Sequence, residues 1–187
     1  MLLGSYIMEG SKAGAAAAAV WMAHRVVPLD ITGYGRIIGC SIEGAYRFYR
    51  SLLERDPIVV DGREFEVIPL ARPDLNIVDY AFHEKGDGSL ERMNELNQAI
   101  YEQCSYKSGP VYVNDFITSK TALAREEYGD TPRAYVERFG IDAAEWDRVE
   151  SVYVLRSCIL TPYLTDTTTY EEYWRNFMGA MTRAVGR

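Results

Sequence analysis

Residues 8–25 read MEGSKAGAAAAAVWMAHR, and this run stops shortly before Pro28, which cannot continue a helix interior. We therefore predict a helix from Ala13 to Val27 with a Gly10-Ser11 turn at its start. The first N–H groups of a helix, together with the positive end of its dipole, form a site for anions such as phosphate. Ser11 has two interpretations: a contact to such an anion, or a helix cap without a ligand.

The remainder of the chain changes from a helical to an alternating apolar period. A second helix is predicted from Thr32 to about Leu53, on a broad apolar face. Strands are predicted at 65–69, 76–83, 111–118 and 152–160, and further helices at 90–104, 132–139, 142–149 and from Thr169 onward. This order predicts an α+β fold in which a helical connector precedes a small domain. In that domain a mainly antiparallel sheet is expected to be covered on one face by helices.

Composition and charge exclude several classes of protein. The 187 residues carry 27 acidic and 20 basic side chains, a net charge of −7, and the basic residues are dispersed. This balance argues against nucleic acid or an anionic membrane as a partner. The Ala-rich run is too short to span a bilayer, so no membrane segment is predicted.

Cysteine and histidine do not form a metal-binding pattern. Cys40, Cys104 and Cys158 are far apart and odd in number, which predicts neither a metal site nor a disulfide framework and favours a reducing cytoplasm. His24 and His83 lie far from each other, with no ligand at metal spacing, and we expect His83 at the surface.

Several long segments resemble one enzyme family. Residues 9–24 (EGSKAGAAAAAVWMAH) and 25–49 (RVVPLDITGYGRIIGCSIEGAYRFY) are similar to group II pyridoxal-phosphate-dependent amino-acid decarboxylases of fold type I, most of all to the microbial tyrosine decarboxylases. The resemblance continues through PDLNIVDYAFHEKG (73–86), NELNQAIYEQCSYKSG (94–109), VYVNDFITSKT (111–121), IDAAEWDRV (141–149) and VYVLRSCILTPY (152–163). It covers nearly the whole chain.

The resemblance implies a domain organisation and an activity. In the family, this segment follows the lysine that holds the cofactor. Residues 1–60 would then be the end of the large domain and a helical connector, and residues 61–187 the small C-terminal domain. Most of the cofactor-binding domain would precede Met1. The implied reaction removes the α-carboxylate of an aromatic L-amino acid as CO2, with pyridoxal phosphate as the electron sink. The implied partner is a second copy or the missing N-terminal portion.

Pyridoxal chemistry requires a lysine that forms a Schiff base, and the chain contains only four lysines. None of Lys12, Lys85, Lys107 and Lys120 follows a histidine at a strand end, as the family's cofactor lysine does. We therefore predict that this chain does not hold the cofactor covalently, that it contributes no catalytic residue, and that it is inactive alone.

The resemblance implies two groups of binding residues. Gly10 and Ser11 would contact the cofactor phosphate of the neighbouring subunit. Arg156, Ser157 and Cys158 would form part of the substrate pocket. The guanidinium of Arg156 suits a substrate carboxylate, although an internal salt bridge explains it equally well. Cys158 stands where the family places a small hydroxyl residue near the substrate ring; alternatively, it is a small core residue.

Two interpretations of the function follow from these observations. In the first, the chain is the C-terminal portion of a tyrosine-like decarboxylase. The alternative is a non-catalytic binding or oligomerisation module derived from the decarboxylase small domain.

Overall fold

The computed structural model describes residues 14–186, which form two compact units that divide between Gly39 and Cys40. In the first unit, helix α1 (Gly14–Val26) confirms the predicted helix, and none of its residues is buried. Helix α2 begins at Tyr34, after a tight turn in which the Tyr34 N–H donates to the Pro28 carbonyl at 2.9 Å. A Cβ at Gly33 would lie 2.1 Å from that carbonyl oxygen, so this position requires glycine.

The second unit contains the sheet and the remaining helices. Helix α2 spans Tyr34–Glu54, and its part from Cys40 onward belongs to this unit. The other elements of the unit are β1 (Ile58–Val60), β2 (Arg63–Pro69), β3 (Ile77–Glu84), α3 (Leu90–Gln103), β4 (Ser119–Ala124), α4 (Arg125–Tyr128), α5 (Arg133–Glu137), α6 (Ala143–Val149), β5 (Ser151–Cys158) and α7 (Thr167–Val185). Short 3-10 turns lie at Tyr106–Ser108, Val111–Val113 and Pro162–Thr165. The α+β class is confirmed.

The sheet has five strands in the order β1-β2-β3-β5-β4, and all its pairs are antiparallel. The predicted strand at 111–118 is wrong. Residues Val111–Val113 form a 3-10 turn in which the Val113 N–H donates to the Pro110 carbonyl at 3.0 Å. The strand begins only at Ser119, which pairs with Arg156 of β5.

Helices cover both faces of the sheet rather than the single face predicted. One face packs against α2, α3 and α7; its buried residues include Phe48, Leu52, Phe65, Val78, Tyr80, Phe82, Ile100, Leu155, Phe177 and Met181. The opposite face packs against α5, α6 and the start of α3; its buried residues include Ala81, Leu90, Met93, Tyr135, Val136, Trp146, Val152 and Val154. The single-face prediction failed because the helices at 132–149 are short, and their few apolar residues did not indicate which side they cover.

Helix α3 completes the sheet where two strands stop pairing. Strand β3 pairs with β5 only as far as Tyr80, opposite Leu155. The side-chain amide of Asn97 then accepts from the Phe82 N–H at 2.9 Å and donates to the Phe82 carbonyl at 2.8 Å. Asn94, one helical turn earlier, does the same for β5: it donates to the carbonyl of Ser151 and accepts from the N–H of Tyr153, both at 2.8 Å. The two amides thus replace the missing ladder bonds, which buried backbone groups require.

Candidate functional site

Strand alternation separates the three residues predicted for the substrate pocket. Ser157 is 4% exposed and its hydroxyl lies 3.0 Å from the hydroxyl of Tyr80, on the face covered by α7. Arg156 and Cys158 point to the opposite face, because neighbouring side chains along a strand alternate. Cys158 is the last residue of β5 and is exposed, so the interpretation of Cys158 as a small core residue is wrong.

Arg156 faces Asp79 across the β3–β5 pair, but its hydrogen bond goes elsewhere. Its Nε donates to the hydroxyl of Ser119 at 3.0 Å. Within residues 14–186 the guanidinium forms no ion pair within 4.0 Å. Burial raises the pKa of Asp79, and the positive charge of Arg156 acts in the opposite direction. The internal salt bridge considered for Arg156 is therefore not formed among the described residues, and its role as a carboxylate contact stays a prediction.

Ser157 and Cys158 both line one cavity of about 320 Å³ at the end of β5. Apolar side chains dominate its wall. The other lining residues come from the segment before β4, from the turn after β5 and from α7: Asn114, Asp115, Phe116, Ile117, Ile159, Leu160, Thr161, Leu164 and Tyr173. The lining does not include Arg156. The structure therefore brings together two of the three predicted pocket residues, and it adds Tyr173 of α7, which the sequence analysis did not propose for the pocket.

Two tyrosine hydroxyls are buried close to this part of the sheet: that of Tyr80 bonds to the lining residue Ser157, and that of Tyr173 belongs to a lining residue of α7. Tyr80 is fully buried, and burial raises its pKa to about 12, although its hydrogen bond with Ser157 acts in the opposite direction. Burial also raises the pKa of Tyr173 well above its ordinary value. Both hydroxyls therefore remain protonated at neutral pH and can donate hydrogen bonds.

We expect the free energy of unfolding to fall as the pH rises from about 10 to about 12. A tyrosine in the unfolded chain loses its proton near pH 10, whereas Tyr80 in the folded chain keeps it up to about pH 12. In this window the unfolded state binds fewer protons, so stability decreases by about 1.4 kcal/mol per pH unit from this one group. Urea unfolding across the window measures the slope, and Tyr80→Phe should make it shallower. Identical slopes for the two proteins would contradict this assignment.

The other predicted residues are placed as follows. Gly10, Ser11 and Lys12 lie outside the described residues, so the predicted phosphate contact stays a prediction. Lys85 is exposed and pairs with Glu64 at 3.1 Å. The ammonium of Lys107 is exposed and lies 5.4 Å from the centre of the Tyr101 ring.

Lys120, the third lysine that the structure describes, lies on β4. Its Nζ is 3.7 Å from the centre of the Tyr153 ring and also donates to the side chain of Gln98. Burial, and then the charge of Lys107, lower the pKa of its ammonium group. The lining of the cavity at the end of β5 includes none of the three described lysines.

The surface position predicted for His83 is wrong. The residue is 1% exposed; its Nδ1 lies 3.1 Å from a carboxylate oxygen of Glu66, and its Nε2 lies 2.6 Å from the carbonyl oxygen of Asp87. Glu66 is its direct partner on β2, and this register could not be read from the sequence. Between residues 14 and 186, His, Cys, Asp and Glu side chains form no cluster suited to a metal ion. None of the helices in this range is both long and apolar enough to cross a bilayer.

Comparison with known proteins defines the class of protein. The family described as the C-terminal part of tyrosine decarboxylase matches residues 44–185, and the chain belongs to this family. It is 46% identical over 184 residues to an L-tyrosine decarboxylase of Enterococcus faecium, covering 98% of this chain and 30% of the relative. It is 47% identical over 180 residues to an L-tyrosine decarboxylase of Enterococcus faecalis (strain ATCC 700802 / V583), covering 96% of this chain and 29% of the relative.

A third relative has the same name. The L-tyrosine decarboxylase of Levilactobacillus brevis is 45% identical over 172 residues, which cover 92% of this chain and 27% of the relative. The chain thus spans less than a third of the length of each of these curated relatives and corresponds to a C-terminal portion. The family resemblance read from the sequence is confirmed.

Proposed function

We propose that this chain is the C-terminal portion of a pyridoxal-phosphate-dependent decarboxylase that removes the α-carboxylate of an aromatic L-amino acid, with tyrosine as the first candidate. The observation that carries this proposal is the 45–47% identity to three L-tyrosine decarboxylases over at least 92% of the chain. The mainly apolar cavity at the end of β5, with Ser157 and Cys158 in its wall, supports an aromatic substrate.

The described residues fit the substrate side of such a site better than the cofactor side. Pyridoxal phosphate supplies the electron sink for the carbanion in the complete enzyme. An amine that holds it must reach the reacting centre, but the three described lysines are engaged with Glu64, the Tyr101 ring, or Tyr153 and Gln98. We therefore assign no step of the reaction through the cofactor to residues 14–186. Contact of Gly10 and Ser11 with the cofactor phosphate remains part of the proposal.

Within the substrate pocket, this chain supplies shape and hydrogen bonds. Ser157 is held by Tyr80, which fixes the position of its hydroxyl beside the cavity. Cys158, the last residue of β5, is also among the residues that line the cavity. Arg156 is proposed as a carboxylate contact on the opposite face of the strand, where its guanidinium has donors beyond the one directed at Ser119.

The proposal also names partners and a cellular compartment. The partners are a second copy of the chain or the N-terminal cofactor-binding portion, together with the amino-acid substrate. The net charge of −7 disfavours nucleic acid and anionic membranes. Cys40, Cys104 and Cys158 are all free thiols, which supports a reducing cytoplasm.

The chain alone is expected to be inactive. When the purified chain is mixed with pyridoxal phosphate alone, we expect no visible-edge absorption band of an imine with a lysine of the chain, and we expect no release of CO2 when tyrosine is then added. Tyrosine is added second because its own amino group forms an imine with the cofactor in solution. An imine band that disappears when one of the lysines is replaced would contradict the assignment of the cofactor amine to another part of the enzyme.

The alternative function, a binding or oligomerisation module, is favoured by one observation. Helix α1 buries none of its residues, and Val20, Trp21 and Met22 are each more than half exposed. An apolar surface of this kind indicates contact with another polypeptide. The reading frame immediately upstream distinguishes the two functions: a segment of the Asp-Pro-His-Lys type favours the decarboxylase, and its absence favours the module.

A further inference from the structure

Strand β4 is the last strand of the described sheet and pairs with β5 on one side. One residue beyond the end of this pairing, the Arg125 N–H donates to the Glu150 carbonyl at 2.8 Å. Along an antiparallel pair, positions bonded to the partner strand alternate with positions that are not. Counting back from Arg125, the backbone N–H and C=O groups of Lys120, Ala122 and Ala124 therefore point away from β5.

Two other hydrogen bonds support this orientation of the β4 backbone. The N–H of Thr118, two residues before Lys120, points away from β5 as well and donates to the Cys104 carbonyl at 2.8 Å. On the far side of β5, the amide of Asn94 binds the backbone of Ser151 and Tyr153, both at 2.8 Å. The backbone groups of β5 that face β4 therefore belong to the residues between them.

Most of the outward-pointing groups have no partner. The carbonyl of Ala124, the cap of α4, belongs to the first turn of that helix. Within residues 14–186, the N–H groups of Lys120, Ala122 and Ala124 and the carbonyls of Lys120 and Ala122 form no hydrogen bond. The bond from Thr118 to Cys104 closes this edge at one end, and α4 begins at the other. The structure thus leaves a window of five residues open for another strand.

No device that usually protects a sheet edge covers this window. Native proteins guard exposed edges with charged side chains, proline or bulges. The one charged residue of β4 is Lys120, but its ammonium group lies 3.7 Å from the centre of the Tyr153 ring on the sheet face and donates to Gln98. Ala122 is exposed, and its methyl group is too small to shield the backbone. The edge is therefore accessible to a polypeptide strand.

The arrangement of the outward-pointing groups is self-complementary, because it is centred on Ala122. A two-fold axis through Ala122 would place this residue opposite itself and Lys120 opposite Ala124 of a second copy. Four hydrogen bonds would then join groups that have no partner in one copy: two between the Ala122 residues and two from the Ala124 N–H groups to the Lys120 carbonyls. An axis through Lys120 would instead place like charges opposite each other, which is unfavourable.

Charges at the two ends of β4 favour the same partner. Beyond its C-terminal end, Glu126 and Glu127 are exposed on α4 and form no ion pair within residues 14–186. At its N-terminal end, Lys107 is close enough to Lys120 for its charge to lower the pKa of the Lys120 ammonium group. Antiparallel pairing brings the C-terminal end of one strand to the N-terminal end of the other. Two carboxylates of each copy would therefore approach two ammonium groups of the other.

We propose that β4 is an interface between two copies of this chain, in which antiparallel pairing about Ala122 joins the two five-stranded sheets into one. The partner is a second copy rather than an unrelated strand, because the backbone window and the flanking charges both complement themselves. The inference does not depend on the decarboxylase activity proposed above. It assigns the surface at which a second copy binds.

Solvent-exchange NMR of the amide protons of the full chain tests this interface directly. Thr121 and Leu123 bond to β5 in each copy, so their exchange should not depend on concentration. The N–H groups of Ala122 and Ala124 gain a partner only in paired copies. We expect their exchange to slow about threefold between about 50 µM and about 1 mM, since a contact of this modest size associates weakly.

Two variants with the same substitution on one face of β4 test the register. Ala122→Glu places two carboxylates opposite each other across the axis and should abolish the concentration dependence. Ala124→Glu is the matched control: its carboxylate would stand opposite Lys120 of the second copy, so the dependence should be kept or become stronger. Slow exchange at Thr121 and Leu123 shows in each variant that the β4–β5 pair is intact.

The wild-type measurement alone can overturn the proposal. Exchange at Ala122 and Ala124 that is fast at every concentration would mean that the edge stays unpaired, and exchange that is slow at every concentration would mean that another part of the chain covers it. Sedimentation that detects a dimer without any slowing at these two residues would place the contact elsewhere, for example on α1. An equal effect of Ala122→Glu and Ala124→Glu would contradict the register.

Discussion

Replacement of Asn97 by alanine is expected to lower the free energy of unfolding by about 4 kcal/mol, enough to unfold a marginally stable domain. Asn97 is fully buried and its amide makes three hydrogen bonds. Two of them satisfy the N–H and the carbonyl of Phe82 in the part of β3 that no longer pairs with β5. Alanine leaves both backbone groups buried and unpaired, and each costs about 1–3 kcal/mol.

Urea unfolding measures this loss, and two further variants calibrate it. Asn94→Ala removes the equivalent bonds to Ser151 and Tyr153 and should also be destabilising, by less, because these bonds are nearer the solvent. Glu95→Ala lies on the same helix at an exposed position and should stay within about 0.5 kcal/mol of the wild type. If Asn97→Ala cost no more than Glu95→Ala, the amide would not be completing the sheet.

Local patterns were sufficient for most of the fold. The helix capped by Ser89 and the strands β2, β3 and β5 follow directly from apolar periodicity and cap chemistry. The strand prediction failed at Val111–Val113 because the β-branched and aromatic residues of this segment favour a strand. Its conformation is instead decided by the turn at Pro110 and by the register of Ser119 against β5, and that register is non-local. The role of Asn97 was likewise invisible, since a polar residue in a helix usually faces water.

The candidate site was predictable to a smaller degree. Ser157 and Cys158 were singled out through the family resemblance, and the structure places both in one cavity. Strand alternation turns Arg156 to the opposite face, so adjacency in sequence overestimated how close the three side chains lie. Tyr173 was missed because it shares the spacing of Phe177 and Met181, the buried stripe of α7, and only the cavity distinguishes it from them.

Transfer of this chain into a known decarboxylase is expected to preserve activity, whereas removal of the matched portion is expected to abolish it. The L-tyrosine decarboxylase of Enterococcus faecium is 46% identical to this chain over 184 residues that make up 30% of its length. A hybrid in which this chain replaces the matched portion should retain the proposed packing and substrate pocket. The same enzyme without that portion should be inactive, since nothing then takes the place of the cavity wall that this chain supplies in the hybrid.

The hybrid also has internal controls. Its Asn97→Ala variant should lose activity together with folding, because the sheet that carries the cavity is destabilised. Its Tyr170→Phe variant should remain active, because Tyr170 lies outside the cavity lining. Near-ultraviolet circular dichroism shows for each protein whether the small domain is packed.

Formation of the amine from tyrosine by this hybrid is the most direct measurement of the central claim, which is that the chain is the substrate-side portion of an aromatic amino-acid decarboxylase. We expect a kcat/KM within about tenfold of the parent enzyme, that is, a loss below about 1.4 kcal/mol of transition-state stabilisation. A hybrid that folds and binds pyridoxal phosphate but forms no amine would contradict the claim.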